Sequence, residues 1–124
     1  MKSKRPVNLD IGTINLPLAA LASITHRISG VVIFAGMAGL LYLFKLSLQD
    51  EDGFARVGVL LSSPLCKFVT WRILSALAYH MVAGCKHLLL DAGIGESKEA
   101  GPIGAKVVIA VSAVLIALLG AWLW

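Results

Sequence analysis

From Val107 to Trp124 the chain runs eighteen residues without a charged side chain. A segment of that length and polarity leaves few folds open. In water it would need a large core to hide in, and 124 residues cannot build one around several such segments. Two more exist. Ile28 to Phe44 is apolar or small throughout, and Ile73 to Cys85 is interrupted only by Ser75, Tyr79 and His80. A bilayer needs about 20 residues of helix to cross it, so each segment spans once its flanks are included. Charged residues make up 15% of the chain, against the roughly 25% usual for soluble domains. Lipid is the expected solvent, and helix is the expected spanning form, because backbone groups in lipid must pair within their own segment.

The net charge of +4 does not point to nucleic acid, because the basic residues flank apolar spans and read as topology signals and headgroup contacts. Cys66 and Cys85 sit near opposite ends of the second span, about 28 Å apart by helical rise. They are too far apart for a disulfide, and their spacing is no metal motif. Met1 to Arg5 imitates a signal-peptide n-region, but the apolar run starts too late and lacks a cleavage site, so the first span is expected to be retained. No Arg/Ser-rich transit sequence precedes it, which points to a bacterial protein.

The chain reads as one transmembrane domain over residues 1–124, with spans at about 18–48, 64–91 and 103–124 and no internal repeat. Residues 1–17 form a polar arm, and Pro17 suits the first turn of a helix. Gln49 to Gly53 is an acidic turn, and Phe54 to Ser63 a short interfacial helix. Ser62-Ser63-Pro64 signals the second long helix. With the N-terminus in the cytoplasm, Lys2, Lys4, Arg5, Arg27, Lys86, Lys98 and Lys106 lie inside and Lys45, Arg56, Lys67 and Arg72 outside. Seven against four is a positive-inside bias. Trp122 and Trp124 then anchor the far interface.

His80 stands in the middle of the second span. Ionisable groups at that depth mark ligand, ion or proton sites, and neutral imidazole is a common axial ligand to haem iron. The alternative is a packed histidine bonded to a neighbouring helix. His80, Gly84 and His87 share a face, and Gly84 leaves room for a flat macrocycle to approach. By helical rise His80 lies about 16 Å from Asp91 and His87 about 6 Å, too different in depth to bind one iron. A single ligand from this chain implies a second from another subunit. At the start of the first helix, Ser23, His26, Arg27 and Gly30 share a face at i, i+3, i+4 and i+7. That stripe presents a hydroxyl, an imidazole and a guanidinium at the membrane edge. Arg27 suits haem propionates, or together with Ser23 a quinone carbonyl; alternatively it snorkels to lipid phosphates. Ala113, Ala117 and Ala121, and the pair Ala35/Gly39, are small-residue ridges expected at helix contacts within the chain or with a partner. Tyr79, Trp71 and Arg72 read as packing and interfacial residues, and Asp91 as a helix-end partner for Lys86 or His87.

Three segments together resemble one family: Arg5-Pro-Val-Asn-Leu-Asp10, Ser23-Ile-Thr-His-Arg-Ile-Ser-Gly30 and His80-Met-Val-Ala-Gly-Cys-Lys-His87-Leu-Leu-Leu-Asp91. In this order they are similar to the large cytochrome b anchor subunits of bacterial succinate dehydrogenase, respiratory complex II. The resemblance covers nearly the whole chain. It implies an all-α membrane protein whose three transmembrane helices pack with a second anchor subunit around a shared haem b. It also implies an iron-sulfur subunit, a flavoprotein subunit and ubiquinone as substrate, in the bacterial inner membrane. On this resemblance His80 is the haem axial ligand, Ser23 and Arg27 contact quinone, and His26 and Arg27 contact haem propionates, with His87 as a further propionate candidate. The competing readings are a menaquinone-linked fumarate reductase anchor and a membrane anchor without redox role. A small transporter subunit lacks support, since no inverted repeat or broken helix is visible.

Overall fold

The structure is a computed structural model that describes Val7 and residues 9–124. Part of the N-terminal segment carrying the resemblance (Arg5, Pro6 and Asn8) and the topology residues Lys2 and Lys4 lie outside the described residues. Among those described, the regular structure is helical: a short 3-10 turn at Ile11–Thr13, then α1 (Leu18–Ser47), α2 (Glu51–Ser62), α3 (Pro64–Asp91) and α4 (Ala100–Leu123). Three of them, α1, α3 and α4, are long and apolar enough to cross a membrane. At 1.5 Å per residue they measure about 36–45 Å, enough for the hydrocarbon core and both interfaces. The chain is a multi-pass, all-helical membrane protein.

The turns follow from local chemistry. Pro17, expected in the first turn, is instead the extended N-cap residue of α1, its carbonyl accepting the first helical N–H groups from Ala20 and Leu21. Of the acidic segment expected as a turn, Gln49 lies in the turn, Asp50 caps α2, and Glu51 to Gly53 form the first turn of α2. The Asp50 carboxylate accepts the Gly53 N–H as an N-cap, and Glu51 and Asp52 sit in the first turn where the helix dipole favours negative charge. Gly53 is required there, because a Cβ would run into the Leu46 carbonyl at the end of α1. Ser63 separates α2 from α3. Its hydroxyl accepts the Cys66 N–H at 3.4 Å, and Pro64 takes the first helical position. Gly93, at φ +79°, turns the chain after α3 so that the Ile94 N–H returns to the Leu89 carbonyl at 2.9 Å. α4 starts at Ala100, three residues before the expected Ile103. Ser97 winds the entry by accepting the Ala100 N–H at 3.1 Å, and Pro102 fits a first turn whose N–H groups have no partner in the helix.

α3 is the central helix, antiparallel to both α1 and α4. The buried positions are small: Ala22 and Ser29 on α1, Ser75 and Ala83 on α3, and Ala105, Val108 and Ser112 on α4. Small residues let helices approach in lipid, where no hydrophobic force draws them together. Gly36 admits the Ile73 side chain, and Gly120 admits Trp71, whose indole N–H donates to the Ile116 carbonyl at 3.0 Å. The Ala113, Ala117 and Ala121 ridge faces outward, as do Ala35 and Gly39. Neither makes the close contact within this chain. Large apolar side chains such as Val31 (69% exposed) and Phe34 (83%) also point away from the bundle, as a surface meeting lipid or another membrane subunit requires.

Candidate functional site at the α1–α3 crossing

The crossing of α1 and α3 gathers the chain's histidines. His26 and His80 stack with ring centroids 4.1 Å apart and planes 14° from parallel, and His87 lies 5.1 Å from His26 at a tilt of 52°. His26 is about 12 Å along α1 from Leu18, and His80 about 16 Å along α3 from Asp91. The cluster therefore sits one end of the bundle inward, on the side of the α1 start, the α3 end and the α3–α4 loop. His80 and His87 are bridged by His26, a link that their separation along α3 did not foretell.

Two glycines make the stacking possible. A Cβ on Gly30 would sit 3.2 Å from His80 Cε1, and one on Gly84 would sit 3.5 Å from His26 Nε2. The space expected at Gly84 for a macrocycle is thus filled, in this chain alone, by the imidazole of His26. His80 Nδ1 lies 3.0 Å from Ser29 Oγ and 3.1 Å from the His26 carbonyl oxygen. The Ser29 hydroxyl donates to that same carbonyl at 2.6 Å. His80 Nε2 bonds no described residue and is not among the buried unpaired atoms, so it stays open. His26 Nε2, in contrast, is buried without a hydrogen-bond partner. An orphaned nitrogen of this kind costs about 1–3 kcal/mol, so the site calls for a polar partner that these residues do not supply.

The four residues read as one stripe divide between two environments. His26 turns into the helix contact, and Gly30 lies against His80. Ser23 is half-buried and Arg27 exposed, and neither side chain bonds another described residue. Adjacent helix positions are about 100° apart, which is enough to send His26 and Arg27 to different surroundings. Between these groups Tyr79 braces α3 against α1: its hydroxyl donates to the Ala22 carbonyl at 3.1 Å and shares a hydrogen bond with Thr25. The packing role expected of Tyr79 rests on these two specific bonds. Ser29 and Thr25 carried no assignment from sequence. The available signal was position: Ser29 lies one turn after His26 and so shares its inner face.

Among the described residues no group of three or more His, Cys, Asp or Glu side chains could chelate a bare metal ion. A haem iron is held by its macrocycle and takes as little as a single side-chain ligand, so a haem site does not require such a cluster. The donor set fits haem: an open imidazole nitrogen on His80, a second imidazole in need of a partner, and a free guanidinium at the edge.

The family model described as succinate dehydrogenase/fumarate reductase transmembrane subunit matches residues 1–119. The chain is 40% identical to the succinate dehydrogenase cytochrome b556 subunit of Coxiella burnetii over the full length of both. It is 32% identical to that of Paracoccus denitrificans, over 94% of this chain and 90% of the relative. A cytochrome b560 subunit from Porphyra purpurea is 29% identical over 77% of this chain and 78% of its own. With three membrane-crossing helices, the site at their crossing and these matches, the chain belongs to the family of succinate dehydrogenase/fumarate reductase transmembrane subunits.

Proposed function

We propose that this chain is the cytochrome b membrane anchor of a bacterial succinate:ubiquinone oxidoreductase. In that role His80 would hold haem b, and Ser23 and Arg27 would line one wall of a ubiquinone-reduction pocket. The chain's partners are a second anchor subunit carrying the other haem ligand, an iron-sulfur subunit and a flavoprotein subunit, in the inner membrane with the N-terminus cytoplasmic. The observation that carries the reading is His80: one ring nitrogen engaged at 3.0 and 3.1 Å, the other open, in the middle of a spanning helix. The relatives' names as cytochrome b subunits of succinate dehydrogenase support it.

When bound, haem b supplies a one-electron carrier within the membrane. His80 would hold the haem through Nε2, its open ring nitrogen. His26, whose buried Nε2 lacks a partner, and the exposed Arg27 would contact the propionates, with His87, beside His26, as a further candidate. Ser23 and Arg27 form the quinone wall at the membrane edge. A hydroxyl and a fixed guanidinium can donate to a quinone carbonyl oxygen, orient the ring and stabilise the negative charge that builds on that oxygen during reduction. The two electrons come from succinate oxidation in the soluble subunits, and the two protons from the cytoplasmic side. This chain therefore positions and stabilises, and holds no complete active site alone.

Each half has its own test. His80→Ala removes the low-spin b-type spectrum from the reduced-minus-oxidised difference, and an unchanged spectrum would dismiss His80 as ligand. Ser23→Ala and Arg27→Leu lower electron transfer to ubiquinone more than transfer to a soluble artificial acceptor. Equal loss with both acceptors would indicate assembly damage and refute the pocket.

A further inference from the structure

Three atoms meet at the back of the His80 ring, and their hydrogens can be placed by elimination. The Ser29 hydroxyl has one proton. At 2.6 Å from the His26 carbonyl, an acceptor only, that proton is committed to the carbonyl. Ser29 Oγ therefore meets His80 Nδ1, 3.0 Å away, with a lone pair. The His26 carbonyl, 3.1 Å from the same nitrogen, also offers a lone pair. A bare Nδ1 would face two acceptors and repel both. The proton must be on Nδ1, so the neutral ring carries its lone pair on Nε2, the open nitrogen.

We infer that Ser29 is a positioning residue for the haem ligand: by accepting the Nδ1 proton of His80 it fixes the ring's tautomer and orientation and raises the electron-donating strength of Nε2. This rests on the reading of His80 as an axial ligand. The His26 carbonyl has two lone pairs and accepts from both the Ser29 hydroxyl and the imidazole, so Ser29 supplies the second of two acceptors on the Nδ1 proton, and its loss weakens that hold without abolishing it. Ser29 is buried, 7% exposed, so water does not replace its hydroxyl readily. The packing of the ring is set elsewhere, by the His26 ring at 4.1 Å and by the absence of a Cβ on Gly30. Ser29 contributes the hydrogen bond. A partner that accepts the distal N–H of a ligating histidine orients the ring and strengthens the ligand. A stronger donor favours the more positively charged, oxidised iron, and loss of the bond moves the potential upward.

The test is a redox titration of the haem in the purified whole complex for wild type, Ser29→Ala, Ser29→Thr and His80→Ala, followed in the visible α band. If the hydrogen bond favours the oxidised form tenfold, the Ser29→Ala midpoint rises by about 59 mV for one electron. Ser29→Thr keeps a hydroxyl able to bond the carbonyl one turn back, and it holds the midpoint at the wild-type value. An unshifted midpoint in Ser29→Ala, with the low-spin spectrum lost in His80→Ala, overturns the role of Ser29 and leaves the ligand assignment standing. A low-spin spectrum that survives His80→Ala overturns both. If Ser29→Ala assembles without haem, Ser29→Thr decides: haem and midpoint restored support the hydrogen bond, and failure of both variants shows that Ser29 acts only by filling space.

Discussion

Gly30→Ala separates the ligand site from the stability of the helix bundle. The added Cβ would lie 3.2 Å from His80 Cε1 and 3.6 Å from Nδ1. Carbon atoms prefer roughly 3.5–4.0 Å, so the imidazole must retreat by about 0.4 Å. It is not free to do so. The ring is held at Nδ1 by contacts of 3.0 and 3.1 Å and lies against His26 at 4.1 Å. A retreat of that size stretches both bonds toward about 3.5 Å, where they count for little. Each is worth about 0.5–1.5 kcal/mol, so the ring loses about 1–3 kcal/mol of positioning. Alanine returns about 1 kcal/mol in helix propensity, with or without haem. Global stability should therefore change little, while haem affinity falls about tenfold, the equivalent of 1.4 kcal/mol. Haem per complex by the pyridine haemochrome assay, measured alongside a thermal melt, reads the two effects separately. Full haem occupancy with a wild-type spectrum would refute the argument, and so would a haem loss matched by collapse of the melt.

Other consequences follow from the same contacts. Gly36→Ala places a Cβ 2.9 Å from two carbons of Ile73. Overpacking of this kind costs about 1–3 kcal/mol, so the melting temperature drops, and adding Ile73→Ala restores much of it. Trp71→Phe removes the indole bond to the Ile116 carbonyl. It should cost about 0.6 kcal/mol, typical of interhelical bonds in membranes, with haem content unchanged. A C-terminal reporter should behave as periplasmic, since three crossings carry the chain from a cytoplasmic start to the far side; a cytoplasmic readout would reverse the orientation of both sites.

Composition made the helices legible. A charge-free run such as Val107 to Trp124 has one plausible form in lipid, and its ends blur only where turn chemistry is permissive. Ala100 to Pro102 joined α4 because a first turn asks nothing of proline's missing N–H. The Asp50 cap pulled the acidic segment into α2, since acidic residues serve a helix start as well as a turn. Helical periodicity grouped Ser23, His26, Arg27 and Gly30, but it could not say that His26 turns inward while Arg27 stays exposed. That depends on which face of α1 meets α3. Ser29 was illegible for a related reason: a helical serine ordinarily bonds its own preceding turn, as this one does. Only the register between α1 and α3 brings its remaining lone pair to His80. The alanine ridge on α4 reads as a contact within the chain or with a partner; within the chain Ala105, Val108 and Ser112 fill the inner face and the ridge faces outward.

The central claim, that His80 Nε2 ligates the haem of the complex, is tested most directly by near-infrared magnetic circular dichroism of the oxidised complex with and without His80→Met. The charge-transfer band in this region identifies the axial ligand pair. Wild type should show two imidazoles, and the variant one imidazole with a thioether, together with a higher midpoint potential as methionine ligation brings. A bis-imidazole band that persists in His80→Met would place the ligand on another residue and return His80 to a packing role.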